Sequence, residues 1–179
     1  MALIHTHFFS HALGMCAACE VVLPQRKAAL RAAGEKYPVL WLLHGAGDDE
    51  TSWIRRTCVE RYAAKYGLAL VMPMAQLSRY ADMAYGQKFF TFIADELPGV
   101  VRDFFPLSDR REDNLIAGLS MGGAGSLRIG LSRPENYRAI GCLSAGFSNY
   151  ELQNARTRDP RRERQFWLAL GDGNFAELE

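Results

Sequence analysis

Residues 116 to 123, IAGLSMGG, set a lone hydroxyl among glycines at the point where an apolar run stops. Within them Gly118-Leu119-Ser120-Met121-Gly122 places a glycine two positions before the serine and another two positions after it. On a sharp turn from strand to helix the central residue is held in a strained conformation, and side chains two positions either side would collide. Glycine removes that collision, and the turn presents the Ser120 hydroxyl as a nucleophile. Taken alone, the same five residues would also serve as an ordinary helix cap. An apolar strand pattern before them and a helical pattern after them favour the nucleophile.

A second signal lies upstream. LLHGAGDD ends an apolar run in His44-Gly45-Ala46-Gly47. Attack of a hydroxyl on an ester carbonyl develops negative charge on oxygen, and two backbone N–H groups stabilise it, each by a few kcal/mol (~3) of barrier. In this architecture one donor is the residue after the nucleophile and the other comes from the loop after an earlier strand. Met121 and Ala46 are the residues expected in those roles.

A serine also needs a base, ordinarily a histidine oriented by an acid. The chain order of such sites is serine, acid, histidine, yet His5, His7, His11 and His44 all precede Ser120. His44 adjoins the oxyanion turn and reads as a loop histidine rather than the base. His5, His7 and His11 read as strand or turn residues, and their spacing fixes no metal site without carboxylate partners. Asp172, after the apolar stretch FWLALG, is the acid candidate. The preceding NYELQNARTRDPRRERQ has too few apolar side chains to cover a sheet as a crossover helix, so a structural or surface role is expected for Asp172.

The elements that must hold these residues follow from the apolar pattern. Residues 15 to 23 read as a strand ending at Pro24, and QRKAALRAAGEK as a hairpin loop or short helical turn. YPVLWLLHG, LALVMPMA, NLIAGLS and YRAIGCLSAG are consecutively apolar, the pattern of strands buried on both faces. Between them, CVERYAAKYG carries helical spacing with a stop at Gly67, and QKFFTFIADELPGVVRDFF a longer helix kinked or broken at Pro98. MGGAGSLRIGLSRP is the helix after Ser120, ending at Pro134. Strand and helix alternate, which implies a mostly parallel sheet covered on both sides, with an antiparallel hairpin at its start.

Composition narrows the class of ligand. At 179 residues and 49% hydrophobic, the chain suits one globular domain. Its net charge of +1 creates no field for nucleic acid or an anionic membrane, so the expected partner is a small molecule. Arg156 to Arg164 (RTRDPRRER) intersperses acids with arginines and lacks interleaved aromatics, which suits a solvated surface. No apolar run approaches the roughly 20 residues of a membrane span. The amino terminus lacks the pattern of a secretory signal, and a cytoplasmic location is expected. Cys16, Cys19, Cys58 and Cys142 are too scattered for a disulfide framework, and Cys16 and Cys19 read as small apolar residues of a strand.

FFSHALGM, YPVLWLLHGAGDDETSW, RYADMAYGQKFFTFIADELP, FFPLSDRREDNLIAGLSMGG and LSRPENYRAI, in that order, resemble the tributyrin esterase branch of the esterase D-like α/β-hydrolases. The resemblance implies an α/β-hydrolase three-layer sandwich and a serine esterase acting on short acyl esters through Ser120, without metal or organic cofactor. It also places the segment before Asp172 in an excursion preceding the acid. The S-formylglutathione hydrolases are a related branch, but a cysteine typical of them is absent from HGAGDD. On this reading residues 1–179 are the amino-terminal part of one hydrolase domain, with the acid, the histidine and at least one later strand beyond Glu179. Such a piece would be inactive alone and poorly soluble, pairing with the missing segment or with another copy. Two other classes keep the fold: a non-catalytic binding module, should the chain naturally end at 179, and an acyltransferase. Trp53, Tyr80, Met83 and Tyr85 lie in loops that suit either an acyl pocket or core packing.

Overall fold

The computed structural model describes residues 1–25, 34–145, 165–169 and 175–177. Among them, eight strands form one sheet in the order β1-β2-β4-β3-β5-β6-β7-β8. The first two, β1 (Ala2–Ser10) and β2 (Met15–Leu23), make an antiparallel hairpin paired from Ala2↔Leu23 to Ser10↔Met15. Its turn closes through Gly14, whose φ is +66° and whose N–H bonds Ser10 O at 2.9 Å. β2 runs antiparallel to β4 (Ala69–Pro73). From there β4, β3 (Val39–Leu43), β5 (Asn114–Leu119), β6 (Ala139–Leu143) and β7 (Gln165–Ala169) are mutually parallel, and β8 (Phe175–Glu177) returns antiparallel to β7.

The run VLWLL explains why the sheet is covered twice. Successive side chains of a strand point to opposite faces, so Val39, Trp41 and Leu43 enter one apolar cluster while Leu40 and Leu42 join the other. The first cluster includes Phe89, Phe92, Ile93, Leu97 and Val101 together with Leu127 and Ile129 of the helix after Ser120. The second gathers Ala63, Trp53, Ile54 and Val59 over Leu70 and Met72. These come from α1 (Ser52–Arg56) and α2 (Val59–Tyr66). Gly67 ends α2 in the left-handed conformation expected of a glycine stop, with φ 67°.

Pro98 does not break its helix. Helical conformation continues from α3 (Phe89–Thr91) through a wider, π-type turn at Phe92–Glu96 into α4 (Leu97–Phe104). Proline cannot donate to the carbonyl four residues earlier, and its ring crowds that carbonyl. A wide turn immediately before it accommodates both effects. The polar stretch before β7 likewise does not prevent a parallel continuation, because Ala139↔Gln165 to Leu143↔Ala169 pair in parallel. Residues 26–33, on which most of QRKAALRAAGEK falls, residues 146–164 and Asp172 lie outside the described residues.

Candidate active site

Ser120 joins β5 to α5 (Met121–Ser132) with φ 54° and ψ −113°. That left-handed conformation costs a non-glycine residue on the order of 1–3 kcal/mol and survives only where its surroundings impose it. The Ser120 N–H bonds Leu143 O at the end of β6 at 2.8 Å, and Ser120 O accepts from the Ala124 N–H at 3.1 Å. The flanking glycines are sterically required. A Cβ on Gly118 would stand 2.4 Å from the Gly122 carbonyl group, and one on Gly122 would stand 2.3 Å from Leu43 O. The turn therefore packs directly on the end of β3, and the Ser120 side chain is left exposed.

The strand that receives this turn also supplies the second signal. β3 and β5 are parallel with Leu43 opposite Gly118, so His44-Gly45-Ala46 leaves the sheet at the same edge as Ser120. A Cβ built on Gly45 would lie 3.8 Å from Ser120 Cβ and 3.5 Å from Leu119 O. Met121 opens α5, where the first-turn N–H groups have no acceptor within the helix and the helix dipole favours negative charge. Ala46, next in the chain after Gly45, is exposed.

The peptides of the 43–46 turn are pinned one by one. Trp53 Nε1 donates to Leu43 O at 3.1 Å, and the Tyr80 hydroxyl to His44 O at 2.9 Å. His44 Nε2 accepts the Ala75 N–H at 2.9 Å, which leaves the ring proton on Nδ1, and Nδ1 donates to Gly45 O at 2.8 Å. The peptide bonds are trans, and across a trans peptide the N–H points opposite to the C=O. Gly45 O also accepts the Asp48 N–H at 3.2 Å, so His44 and Asp48 together set the direction of the Ala46 N–H. With both ring nitrogens engaged and only 1% of its surface exposed, His44 supports this turn and has no nitrogen free to take a proton from Ser120.

The other histidines are remote. β1 lies four strand positions from β5, which is about 19 Å at the ordinary strand spacing. His5 Nδ1 contacts Glu20 Oε1 at 2.6 Å, and His11 follows β1 in the hairpin turn. Near the site, Asp48 pairs with Arg56 at 2.8 Å. Asp49 is held below its usual carboxylate value by the Thr51 hydroxyl and, secondarily, by Arg55. Cys16 is exposed and Cys19 buried, on opposite faces of β2, while burial pushes the Cys142 thiol up to about 12. Among the described residues no group of three or more His, Cys, Asp or Glu is placed to hold a metal ion.

The four residues Trp53, Tyr80, Met83 and Tyr85 separate clearly, and Trp53 lies in α1 rather than in a loop. Tyr80 is fully buried and Trp53 half-buried, both as donors to the 43–46 turn, whereas Met83 and Tyr85 are exposed. No periodic pattern marks Tyr80 or Trp53, because each acts through one hydrogen bond from a loop or a short helix.

With Ser120 on its strained turn and the Gly45 segment beside it, residues 10–175 match the model of the family described as "Putative esterase". The chain belongs to this Esterase family. An acetyl esterase of Caldicellulosiruptor saccharolyticus is 31% identical over 157 residues, which are 85% of this chain and 59% of that protein. Among solved structures, the substrate-bound fluorophosphonate-binding serine hydrolase F (FphF) of Staphylococcus aureus superposes with a TM-score of 0.77. It is 36% identical, with 88% of this chain and 62% of that one covered. The S-formylglutathione hydrolase FrmB of Staphylococcus aureus gives a TM-score of 0.74 at 36% identity, covering 88% and 63%. The chain thus spans about 59–63% of the length of these relatives. Its fold is that of the α/β-hydrolases. Among the described residues no helix is long and apolar enough to cross a membrane.

Proposed function

We propose that the protein is a serine carboxylesterase of the tributyrin esterase type, hydrolysing short-chain acyl esters through an acyl-enzyme on Ser120. The observation that carries this reading is the exposed Ser120 at φ 54°, set against a turn whose Ala46 N–H direction is fixed by His44 and Asp48 through Gly45 O. The Ser120 oxygen attacks the ester carbonyl carbon, the carbonyl oxygen becomes an oxyanion that accepts from the Ala46 and Met121 N–H groups, and the alcohol departs with a proton. Water then attacks the acyl-enzyme and releases the acid. No step calls for a metal or organic cofactor.

The proton transfers need a base, and none of the four histidines of residues 1–179 suits the role. We place the histidine and its acid outside residues 1–179, in the serine, acid, histidine order of this fold. A small-molecule ester is the partner on this reading, with the protein cytoplasmic and neither nucleic acid nor membrane engaged.

The identity to an S-formylglutathione hydrolase favours one second reading, thioester hydrolysis at the same serine. A chain-length series of p-nitrophenyl esters, run beside S-formylglutathione on the complete protein, separates them. Esterase chemistry gives the highest kcat/KM on acetyl to butyryl esters, and Ser120→Ala lowers it by at least about 10³-fold. Preference for the glutathione thioester by a hundredfold would favour the second reading. Full ester turnover in Ser120→Ala would overturn both.

A further inference from the structure

The loop between β4 and α3 holds Gln76, Arg79 and Tyr80 at φ 49°, 54° and 55°. Each such residue costs on the order of 1 kcal/mol or more, so three within five positions persist only because the surroundings hold them. The contacts responsible reach in two directions. Toward the 43–46 turn, Ala75 N–H meets His44 Nε2, and the Tyr80 hydroxyl donates to His44 O at 2.9 Å. Toward the helix after Ser120, Arg128 Nη1 donates to Arg79 O at 2.9 Å. There too the Tyr80 ring fills the space that a side chain at position 125 would need, a Cβ on Gly125 falling 2.4 Å from Tyr80 Cδ2.

Tyr80 is thus the one side chain among those described here that grips the His44 carbonyl with its tip and lies on α5 with its ring. We propose that Tyr80 is a positioning residue for the ester chemistry, setting the separation of the Ala46 and Met121 N–H groups by holding the His44 peptide against the nucleophile helix. This inference rests on the esterase reading. Its physical basis is the cost of a lost partner. With Tyr80 fully buried, removing its hydroxyl leaves His44 O without its donor, and a peptide so released turns toward another one. The His44 ring moves with it, and the Gly45–Ala46 peptide loses the shorter of its two holds, keeping only the Asp48 N–H on Gly45 O, so the Ala46 N–H loses its aim. Burial pushes the Tyr80 phenol well above its ordinary value, so it stays a donor across the working pH range.

The effect belongs to the tetrahedral state. Misplacing one oxyanion donor lowers kcat by roughly 10- to 100-fold and leaves ester binding nearly unchanged. Tyr80→Phe keeps the ring on Gly125 and removes only the donor, while 4-aminophenylalanine at position 80 keeps shape and donor together. In the complete protein with p-nitrophenyl acetate, Tyr80→Phe is expected to lower kcat by about 10- to 100-fold with KM within about threefold. Affinity for benzeneboronic acid, whose adduct on Ser120 carries an oxygen at the oxyanion position, falls in parallel, and the 4-amino variant recovers both. A Tyr80→Phe protein with kcat within twofold of the parent overturns the proposal, as does a KM rise that accounts for the whole loss. Should Tyr80→Phe fail to fold, the 4-amino variant decides alone: parental kcat and boronate affinity uphold the donor role, and a tenfold loss in a folded protein refutes it. Absence of ester turnover in the unmodified protein would instead remove the esterase reading, and this inference with it.

Discussion

Ser120 occupies a conformation that glycine adopts with less strain. Replacing it by glycine should therefore raise stability by about 1 kcal/mol, a shift of roughly 2–4 °C in Tm for a chain of this size, while abolishing ester turnover. Thermal melting beside an activity assay checks this; an unchanged or lowered Tm would mean that the turn is not strained. The neighbouring glycines differ in kind. At Gly122 a methyl group would meet Leu43 O at 2.3 Å and His44 O at 2.7 Å, both backbone atoms that cannot swing away. Gly122→Ala is expected to cost about 3 kcal/mol or more and to misplace the 43–46 turn. Gly99 in α4 has nothing within 4 Å of its Cβ position, so Gly99→Ala should add about 0.5–1 kcal/mol and leave activity intact. Denaturant titration of the pair measures the contrast.

Between elements, the hairpin meets the helix before α4 through the Phe8–Phe92 ring contact and through one carboxylate. Glu96 accepts from the Ser10 hydroxyl at 2.5 Å and from the His11 and Ala12 N–H groups at 2.7 and 3.2 Å. Desolvation pushes this carboxyl up, but those hydrogen bonds together outweigh it and hold it below its ordinary value of 4.5. A carboxyl depressed in the folded state contributes stability above its unfolded value and loses it as pH falls through the folded one. Glu96→Gln should therefore cost on the order of 1 kcal/mol at pH 7, with the difference shrinking below about pH 4.5 as the parent protonates. Urea midpoints at pH 7 and pH 3.5 read it directly. A gap as wide at the acid pH would contradict the arrangement. The elements so joined were largely legible in the sequence. Runs such as VLWLL and ALVMP name buried parallel strands because both their faces are apolar. The glycine pattern around Ser120 likewise names the turn, because only glycine fits there. Less legible were features set by contacts distant in sequence. The wide turn before Pro98 preserves a helix that proline chemistry alone would end, and Tyr80 reaches His44 across 36 residues through one hydroxyl. Nothing in the local pattern of RYADM marks such a contact.

Over the whole molecule, the strands deliver two segments distant in the chain to one sheet edge, and the parallel pairing of β3 with β5 is what brings them together. The same packing sorts the thiols: Cys16 and Cys58 are exposed, Cys19 and Cys142 buried. A neutral alkylating reagent should modify two thiols in the native protein and four after unfolding, counted by intact mass. Rapid native labelling of Cys142 would mean that the α5 face of the sheet is open. The central claim, that this edge presents Ser120 for acyl transfer, is tested most directly by trapping the intermediate. The complete protein is mixed with p-nitrophenyl acetate, quenched in acid within the first turnovers and digested for mass spectrometry. The expected result is an acetyl group on Ser120 that disappears in Ser120→Ala; ester turnover with Ser120 unmodified, or with the acetyl group on another side chain, would contradict it.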